Sequence, residues 1–586
     1  TEYRMEEEYW KTKSRIHWLH AGDRNTQFFH AKTKQRRSFN RITAITDNNG
    51  SVWYDEAAIQ KVVIEYFTTL FSSENEKDVQ LVVQNIKRRV TPEMNEALTR
   101  LVTEEELYHA AHQMKRDKAP GPDGFNPGFY QDHWPTIRSG VLKFARSFFD
   151  DCILDPALNH THICLIPKIT QPIEVRDYRP ISLANVAYKI LSKVLAERLK
   201  PWMCNIISDN QSAFIPGRLI TDNILIAHEL MHSLHTKQLV KPLMAAKIDI
   251  SKAFDKVEWH FVEAVMKQMV FSEIWCKWIM KCITTVTYSL LINGQPVGKI
   301  TPQRGLRQGD PISPYLYLLC TEGLSALFQK YIKAGVLHGF KASRSGPPIS
   351  HLLFADDSLL FCRASEEECS SLIRILHEYE KASGQSVNLQ ESAVTYGKGL
   401  SSEVQKRLSQ ILGIQKNGSF GRYLGLPEYI GRSKINAFSF LAQRTYKKIE
   451  NWYTKLLSPA GKEVLLKAFA TAIPSYSMSC FMIPARVVSQ ITGAMRRFWW
   501  SSTKERHKIS WVAWNKITDP KAIGGLSIRD LKDFNTALLA KQSWRLLQQP
   551  SSLMARVFKA KYYPRKTLFD AEIKSQSSYA WKSITQ

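Results

Sequence analysis

The sequence has no long apolar run, and this absence limits what class of protein it can encode. No uninterrupted hydrophobic stretch approaches the roughly 18 residues that a membrane-spanning helix requires. The first residues, TEYRMEEEYW, are acidic, whereas a secretory leader begins with basic residues followed by an apolar core. We therefore expect a protein that neither spans a membrane nor is secreted.

The usual cysteine patterns are also missing. The nine cysteines are scattered, with no CxxC pair and no histidine at zinc-ligand spacing. An odd number without a framework indicates a reducing compartment. We expect an intracellular protein of the nucleus and/or cytoplasm. The basic cluster KTKQRR, residues 32–37, suits either a nuclear address or RNA binding.

Acidic charge is scarce in two segments of the chain. Of 586 residues with a formal net charge of +26, residues 11–41 carry nine Lys or Arg against one Asp, and residues 434–586 carry 26 against eight acids. Residues 42–433 are nearly neutral. Aromatic residues interleave the charge in both basic segments, which is typical of nucleic-acid binding because bases stack on aromatic faces. The alternative is that the basic residues form a solvated helix face and the interleaved aromatic residues are buried behind it.

The neutral middle mixes helices with strands, and the region beyond residue 434 is helical. A capping box of Thr103 and Glu106 begins one helix, Asn185 can cap another, and Ser458 followed by Pro459 begins a third that runs to Pro474. The chain is long enough for about two to four domains, with 44% hydrophobic residues. A domain boundary near residue 434 agrees with the step in charge.

The segment HLLFADDSLLF, residues 351–361, sets two adjacent carboxylates between apolar runs. The runs have the composition of buried strands, so the segment predicts a hairpin with Ala355–Ser358 as its turn. Two like charges so close together need water, Lys or Arg, or a metal ion to compensate them. Asp356 and Asp357 are therefore candidates for a metal site, and a solvated turn is the alternative.

Two further segments carry candidate chemistry. Asp249 lies in a short strand-like run, and a third carboxylate on a neighbouring strand is what a site for two cations needs. In RGLRQGDPISPYLY, residues 304–317, Gly305 and Gly309 permit close backbone approach to a flat ligand, and Gln308 offers an amide to a base or sugar. Taken singly, each of these residues has a structural explanation that is at least as probable.

Together and in this order, the segments resemble the A, B and C motifs of the reverse-transcriptase palm. The whole chain is similar to LINE-type, non-LTR retrotransposon reverse transcriptases of the plant type. The blocks that carry the resemblance are KAPGPDGF, LIPK, YRPISL, NQSAFIPGR, KAFDKVEW, RGLRQGDPISPYL, FADD and YLGLPEYIGRSK. A group II intron maturase shares the palm chemistry but fits the first and last of these blocks less well.

The resemblance implies an α+β, right-hand polymerase fold. It places a basic, RNA-binding N-terminal extension at residues 1–100 and the fingers and palm, an antiparallel sheet with helices, at residues 101–433. A helical thumb would occupy residues 434–490, and a basic, Trp-rich helical region, truncated, residues 491–586. The partners would be template RNA, primer DNA and dNTPs.

The resemblance also implies roles for individual residues. Asp249, Asp356 and Asp357 would be catalytic, with Asp249 and Asp356 holding two Mg²⁺ ions, for which Mn²⁺ could substitute. The nucleotide-binding residues would be Lys168, Arg179, Phe254 as the steric gate against a ribose hydroxyl, Gln308 and Gly309. The nucleic-acid-binding residues would be Arg24, Lys32, Lys34, Arg36, Arg37, Arg304 and Lys462.

One departure from the family pattern bears on activity. The family commonly has Lys before Ser in the block after the hairpin, whereas VNLQESAVTYG has Glu391 before Ser392. The companion endonuclease, zinc-knuckle and RNase H segments of the full-length element are expected to lie outside this chain. The expected function is RNA-directed DNA polymerisation by two-metal-ion catalysis, and the alternative is a catalytically silent, nucleic-acid-binding remnant.

Overall fold

A computed structural model describes residues 6, 9–10, 13, 26–73, 79–238, 241–453, 457–501 and 509–585. Of the side chains at residues 26–29, 32 and 453 nothing is described. Within the described ranges, no helix combines the length and apolar character needed to cross a membrane. All nine cysteines are present as free thiols.

Fifteen short strands occur in the part of the chain that the structure describes. In chain order they are β1 (Ile45–Thr46), β2 (Val52–Trp53), β3 (His160–Pro167), β4 (Tyr178–Ala184), β5 (Leu243–Ile248), β6 (Ile250–Ser251), β7 (Thr287–Ile292), β8 (Gln295–Ile300), β9 (His351–Phe354), β10 (Asp357–Arg363), β11 (Ser386–Val387), β12 (Ala393–Tyr396), β13 (Lys416–Asn417), β14 (Arg422–Tyr423) and β15 (Leu426–Pro427).

Helices make up most of the remainder. In chain order the α-helices are α1 (Thr26–Asn40), α2 (Glu56–Phe71), α3 (Gln80–Val83), α4 (Pro92–Thr99), α5 (Glu104–His112), α6 (Pro127–Asp132), α7 (Trp134–Asp151), α8 (Pro156–Asn159), α9 (Val186–Leu199), α10 (Met203–Ile206), α11 (Ile220–Thr236), α12 (Trp259–Gln268), α13 (Glu273–Thr284), α14 (Ser313–Lys333), α15 (Glu366–Ser383), α16 (Ser402–Leu412), α17 (Lys434–Tyr453), α18 (Pro459–Leu465), α19 (Ala472–Met478), α20 (Ala485–Trp500), α21 (Trp514–Thr518), α22 (Leu531–Gln548), α23 (Leu553–Tyr562) and α24 (Tyr579–Ile584). The fold class is therefore α+β, as the sequence predicts.

A central sheet of five strands, in the order β13-β12-β5-β10-β9, organises the chain. All its pairs are antiparallel except β12 with β13. Successive side chains of a strand point to opposite faces. In β10, Leu360 and Cys362 belong to the core that contains α14 and α15, whereas Leu359 and Phe361 belong to the core that contains α11. Both faces of the sheet are thus covered by apolar side chains.

A second sheet of four strands, in the order β4-β3-β7-β8, has its own small core. Strands β3 and β4 form a long antiparallel pair, and β3 pairs parallel with β7. Helix α2 buries Phe67 and Phe71 against this sheet, where Phe71 contacts Tyr288 with ring centroids 5.1 Å apart. The second sheet is joined to the central one by the segment between β8 and α14.

The C-terminal helices pack on α11 and complete the second face of the central sheet. Their apolar side chains lie in one cluster with those of α11. A buried charge network adds to this packing: the Glu229 carboxylate, which is 0% exposed, accepts hydrogen bonds from Lys561 Nζ at 2.7 Å and from Tyr562 Oη at 2.6 Å. A bidentate ion pair joins Arg545 to Asp222. The C-terminal region is therefore integral to the core, although the domain boundaries themselves stay a prediction.

The helix signals in the sequence are confirmed in part. The capping box of Thr103 and Glu106 is present, and Ser458 accepts a hydrogen bond from the backbone of Gly461. Asn185 occupies the cap position of α9 without a side-chain cap, because its amide accepts the backbone N–H of Asp123 and donates to the carbonyl of Leu158 in α8 instead. The prediction that Pro474 ends a helix is wrong. Pro474 lies in the first turn of α19, where its missing N–H costs nothing.

Burial of His228 predicts a loss of stability in mild acid. His228 packs against Phe481, and neither ring nitrogen has a hydrogen-bond partner among the described residues. Burial lowers the pKa of His228 to about 4, with Glu229 opposing and His232 and Lys561 adding to the shift. Because the unfolded chain binds this proton near pH 6.5, stability is fully present above that pH and falls toward pH 4.

We expect His228→Leu to flatten the decrease in melting temperature between pH 7 and pH 5. The variant removes a proton-linked cost of about 1–2 kcal/mol at pH 5. His377→Leu is the matched control, since His377 is exposed and makes only surface contacts. Equal pH dependence in the two variants would contradict this explanation.

Candidate active site

The two carboxylates of the hairpin lie at its tip. Phe354 pairs with Asp357, which makes the connection a two-residue turn of Ala355 and Asp356. Ala355 has a φ of +54°, in the left-handed region that a tight turn requires. The predicted hairpin is confirmed, but its turn is two residues shorter than predicted because Asp357 and Ser358 already belong to β10. Asp356 is exposed and Asp357 is half-buried.

Asp249 comes to the same place from β5. Ile248 pairs with Ser358 in the antiparallel register, so the next residue, Asp249, lies across from Asp357. Burial raises the pKa of Asp249, and the Asp356 and Glu391 carboxylates raise it further. Burial also raises the pKa of Asp357, which Lys247 opposes from 3.9 Å across the sheet. The site therefore concentrates negative charge that these side chains compensate only in part.

Such a site fits a hard divalent cation. Carboxylate oxygens are the ligands that Mg²⁺ prefers, and Mg²⁺ keeps several waters and substrate phosphates in its shell. Among the described residues, no three His, Cys, Asp or Glu side chains are placed so that they could hold a metal ion by themselves. The pKa values of Asp249 and Asp357 are raised, and a bound cation would lower them again by stabilising the ionised carboxylates. An incomplete, acidic, open site is the arrangement in which a substrate supplies the remaining ligands.

The segment after β11 holds Asp249 in position, a role that the sequence did not reveal. Asp249 donates its backbone N–H to Ser392 Oγ at 3.1 Å and accepts the Asn388 N–H at 2.8 Å. Glu391, the departure from the family pattern, contributes to the raised pKa of Asp249. Lys416 Nζ lies 3.1 Å from the Glu391 carboxylate, and both side chains are at least half-exposed. A cation therefore stands near position 391 although the residue itself is acidic.

The loop with Gln308 and Gly309 joins the carboxylate site to the second sheet. Leu306 donates to the carbonyl of Phe254, and Ser182 of β4 donates to the carbonyl of Gln308. Gly305 has a φ of +99°, and a Cβ there would lie 2.7 Å from the backbone oxygen of Asp255. The Phe254 ring stacks on Tyr317, with centroids 4.5 Å apart. The structure thus brings the predicted gate and the predicted loop together.

A buried ion pair fixes this loop, and sequence reasoning missed it. Arg307 and Asp310 flank Gln308 and Gly309, and their charged groups meet at 3.0 Å with both side chains almost fully buried. The Asp310 carboxylate also accepts from Tyr188 Oη at 2.7 Å, and the Arg307 guanidinium lies 3.9 Å from the Tyr188 ring centre. The opposite charges of Arg307 and Asp310, three residues apart in the sequence, were the available signal.

Lys168 and Arg179 lie at one end of the β3–β4 hairpin and are both exposed. Lys168 Nζ donates to the carbonyl of Arg176 at 2.9 Å. Near it, Lys252 has a φ of +48° and a buried ammonium with no hydrogen-bond partner among the described residues. Burial lowers the pKa of Lys252 to about 8, and the nearby charge of Lys168 adds to this shift. This end of the hairpin therefore faces one more cation, Lys252, than the sequence indicated.

The predicted nucleic-acid contacts divide into three groups. Lys34, Arg36 and Arg37 lie exposed on α1, whereas Arg24 and the side chain of Lys32 lie outside what the structure describes.

Arg304 differs from its predicted role, since it is 5% exposed and donates to Glu258 and to the Leu70 carbonyl. Lys462 donates to the carbonyls of Trp499 and Ser501 at the end of α20. These two side chains hold protein segments together, so they are not included in the interface proposed below.

Comparison with known proteins agrees with this geometry. Residues 166–426, which contain the carboxylates, the gate and the loop, match the family model described as reverse transcriptase (RNA-dependent DNA polymerase). The chain is 25% identical over 276 residues to the Pol polyprotein of the type-2 retrotransposable element R2DM of Drosophila melanogaster, covering 46% of this chain and 24% of that protein. Residues 166–426 belong to the reverse-transcriptase family, and the chain's named relatives are proteins of non-LTR retrotransposons.

Other relatives match different parts of the chain. It is 24% identical over 496 residues to the uncharacterized 149 kDa protein of transposon TX1 of Xenopus laevis, covering 83% of this chain and 37% of that protein. It is 46% identical over 114 residues to an uncharacterized mitochondrial protein of Arabidopsis thaliana, covering 19% of this chain and 74% of that one. The chain thus spans well under half of the transposon proteins that it matches.

The buried ion pair gives a prediction for the loop. We expect Asp310→Ala to lower the free energy of unfolding by about 3–5 kcal/mol, because it leaves the Arg307 charge buried and unpaired. Denaturant unfolding would measure the change.

Glu366→Ala is the control for this prediction, since it breaks an exposed pair with Arg407 and should cost under about 1 kcal/mol. The double variant Arg307→Met, Asp310→Leu should regain part of the stability. Equal costs for Asp310→Ala and Glu366→Ala would show that burial of the pair is unimportant.

Proposed function

We propose that the chain is an RNA-directed DNA polymerase that adds dNTPs to a DNA 3′-hydroxyl on an RNA template. The observation that carries the proposal is the meeting of Asp249, Asp356 and Asp357 at one end of the central sheet. Nucleotidyl transfer needs carboxylates that gather positive charge around a triphosphate and a hydroxyl. A structural turn would not need the third carboxylate from β5.

The parts of the structure take the roles of a right-hand polymerase in this proposal. The central sheet with α14 and α15 would be the palm, and the β3–β4 hairpin part of the fingers. Helices α17 to α19 would form the thumb, followed by the basic C-terminal region. The N-terminal segment with α1 would contact template RNA, which the exposed Lys34, Arg36 and Arg37 favour.

Asp249 and Asp356 would hold the divalent ions, Mg²⁺ or Mn²⁺. When bound, these ions would lower the pKa of the primer hydroxyl and offset the charge of the triphosphate. Asp357, which faces Lys247, would add negative charge to the site and help to fix the geometry of the hairpin. Lys168 and Arg179 would neutralise the triphosphate, since a guanidinium pairs with two phosphate oxygens at once.

A catalytically silent, nucleic-acid-binding remnant is the second candidate, and one observation favours it. Glu391 stands where the family commonly has Lys, and it adds negative charge beside Asp249. Such a protein would retain the basic segments and bind RNA without synthesis. In either case we propose an intracellular location, in the nucleus and/or cytoplasm, and no membrane association.

Primer extension separates the two candidates. With an RNA template, a DNA primer, dNTPs and Mg²⁺, we expect synthesis that falls on the order of a thousandfold in Asp356→Ala, because several kcal/mol of charge stabilisation are lost. RNA affinity should stay unchanged in the variant. Absence of extension by both proteins, with tight and salt-sensitive RNA binding, would instead establish the binding remnant.

The gate gives a second prediction. Since Phe254 is held by stacking on Tyr317, a shorter side chain should open space beside the sugar without moving the loop. We expect Phe254→Val to reduce discrimination against ribonucleotides by roughly 10–100-fold, measured as the ratio of kcat/KM for dGTP and GTP. Phe254→Tyr should preserve the ratio. A variant that loses both substrates equally would argue against a gate.

A further inference from the structure

Residues 208–218 form a loop on the outer edge of β9, the strand that leads to the catalytic turn. Leu353 of β9 donates to the carbonyl of Asn210 at 2.8 Å and accepts the Ser212 N–H at 3.1 Å. Gln211 reaches further: its side-chain oxygen accepts the N–H of Ala355, the residue before Asp356, at 3.1 Å. The loop therefore pairs with β9 through a single β-bridge between Gln211 and Leu353 and touches the carboxylate turn directly.

The loop has a fixed conformation. Arg218, which is mostly buried, donates to four backbone carbonyls, those of Cys204, Ile207, Ser208 and Gln211. One guanidinium thus ties the beginning of the loop to its end. Such a loop presents whatever side chain lies at its outer surface in one place.

Phe214 is the side chain that the loop presents. It is 52% exposed, although its neighbours Ala213 and Ile215 are buried. Its φ is +56°, a left-handed conformation that costs energy for a residue with a bulky side chain. Folding gains little from an exposed ring and nothing from a strained backbone. A bound ligand would explain both features.

We propose that Phe214 contacts a nucleotide of the primer–template bound beside the carboxylates, stacking on its base or packing on its sugar. This proposal rests on the proposed function. Two observations identify the occupant. The loop is hydrogen-bonded to the turn that carries Asp356, so a nucleic acid with its reacting end at the carboxylates must pass close by. The loop also lies against the basic C-terminal region, since Arg556 pairs with Asp209 at 3.2 Å, and this charge favours a polyanion over a neutral apolar partner.

Binding can be measured without relying on catalysis. An Asp356→Ala background removes synthesis, and fluorescence anisotropy then reports the affinity for a labelled RNA–DNA primer–template. In this background we expect Phe214→Ala and Phe214→Gly each to bind about tenfold more weakly, whereas Phe214→Tyr binds normally. Leu101→Ala, which removes an 80% exposed apolar side chain from another loop, should have no effect.

The glycine variant distinguishes a ligand contact from a structural role. Glycine adopts φ near +56° without strain, so Phe214→Gly should melt at or above the temperature of the parent protein while binding more weakly. A higher melting temperature with unchanged affinity would overturn the proposal. So would a change in self-association instead of affinity, which would make Phe214 a protein contact. Failure of primer extension in the unmodified chain would sink the proposed polymerase but would leave these affinities interpretable.

Discussion

The structure has to hold three carboxylates close together in a partly buried site, and the surrounding elements keep them in place. Asp249, Asp356 and Asp357 meet at the end of a sheet that is apolar on both faces, where burial, with the neighbouring carboxylates adding to it, raises the pKa values of Asp249 and Asp357. Only a stiff support can hold like charges together. The sheet provides this support through register, since the pairing of β5 with β10 leaves Asp249 opposite Asp357. The cores on both faces then prevent the strands from moving apart.

The loop between β8 and α14 is held by a different kind of interaction. The loop with Gln308 and Gly309 is irregular, so strand pairing cannot fix it, and the buried pair of Arg307 and Asp310 does so instead. This pair reaches α9 through Tyr188, and the loop backbone reaches β4 through Ser182. The proposed fingers and palm are therefore coupled both through this buried ion pair and through the backbone bond to Ser182.

Local patterns in the sequence predicted local structure well. The apolar runs around Asp356 gave the hairpin, and the Thr103 capping box gave α5, because each depends on neighbours in the chain. Contacts between distant segments were beyond such patterns. Nothing near Ser392 indicates that it would bond Asp249, and nothing near Glu229 indicates Lys561 as its partner, 332 residues away. For Arg304 the sequence predicted a nucleic-acid contact, whereas the side chain is buried and pairs with Glu258. A basic residue beside a motif can therefore have a structural role.

The loop of residues 208–218 has a further consequence for the central sheet. The outer edge of β9 is apolar, and an open edge of this kind pairs readily with another chain and seeds aggregation. Here the loop and Asn223 of α11 occupy the backbone groups of His351 and Leu353 on that edge. The opposite edge, β13, is only two residues long and polar. A sheet assembled around repelling charges is thereby kept from extending into a neighbouring molecule.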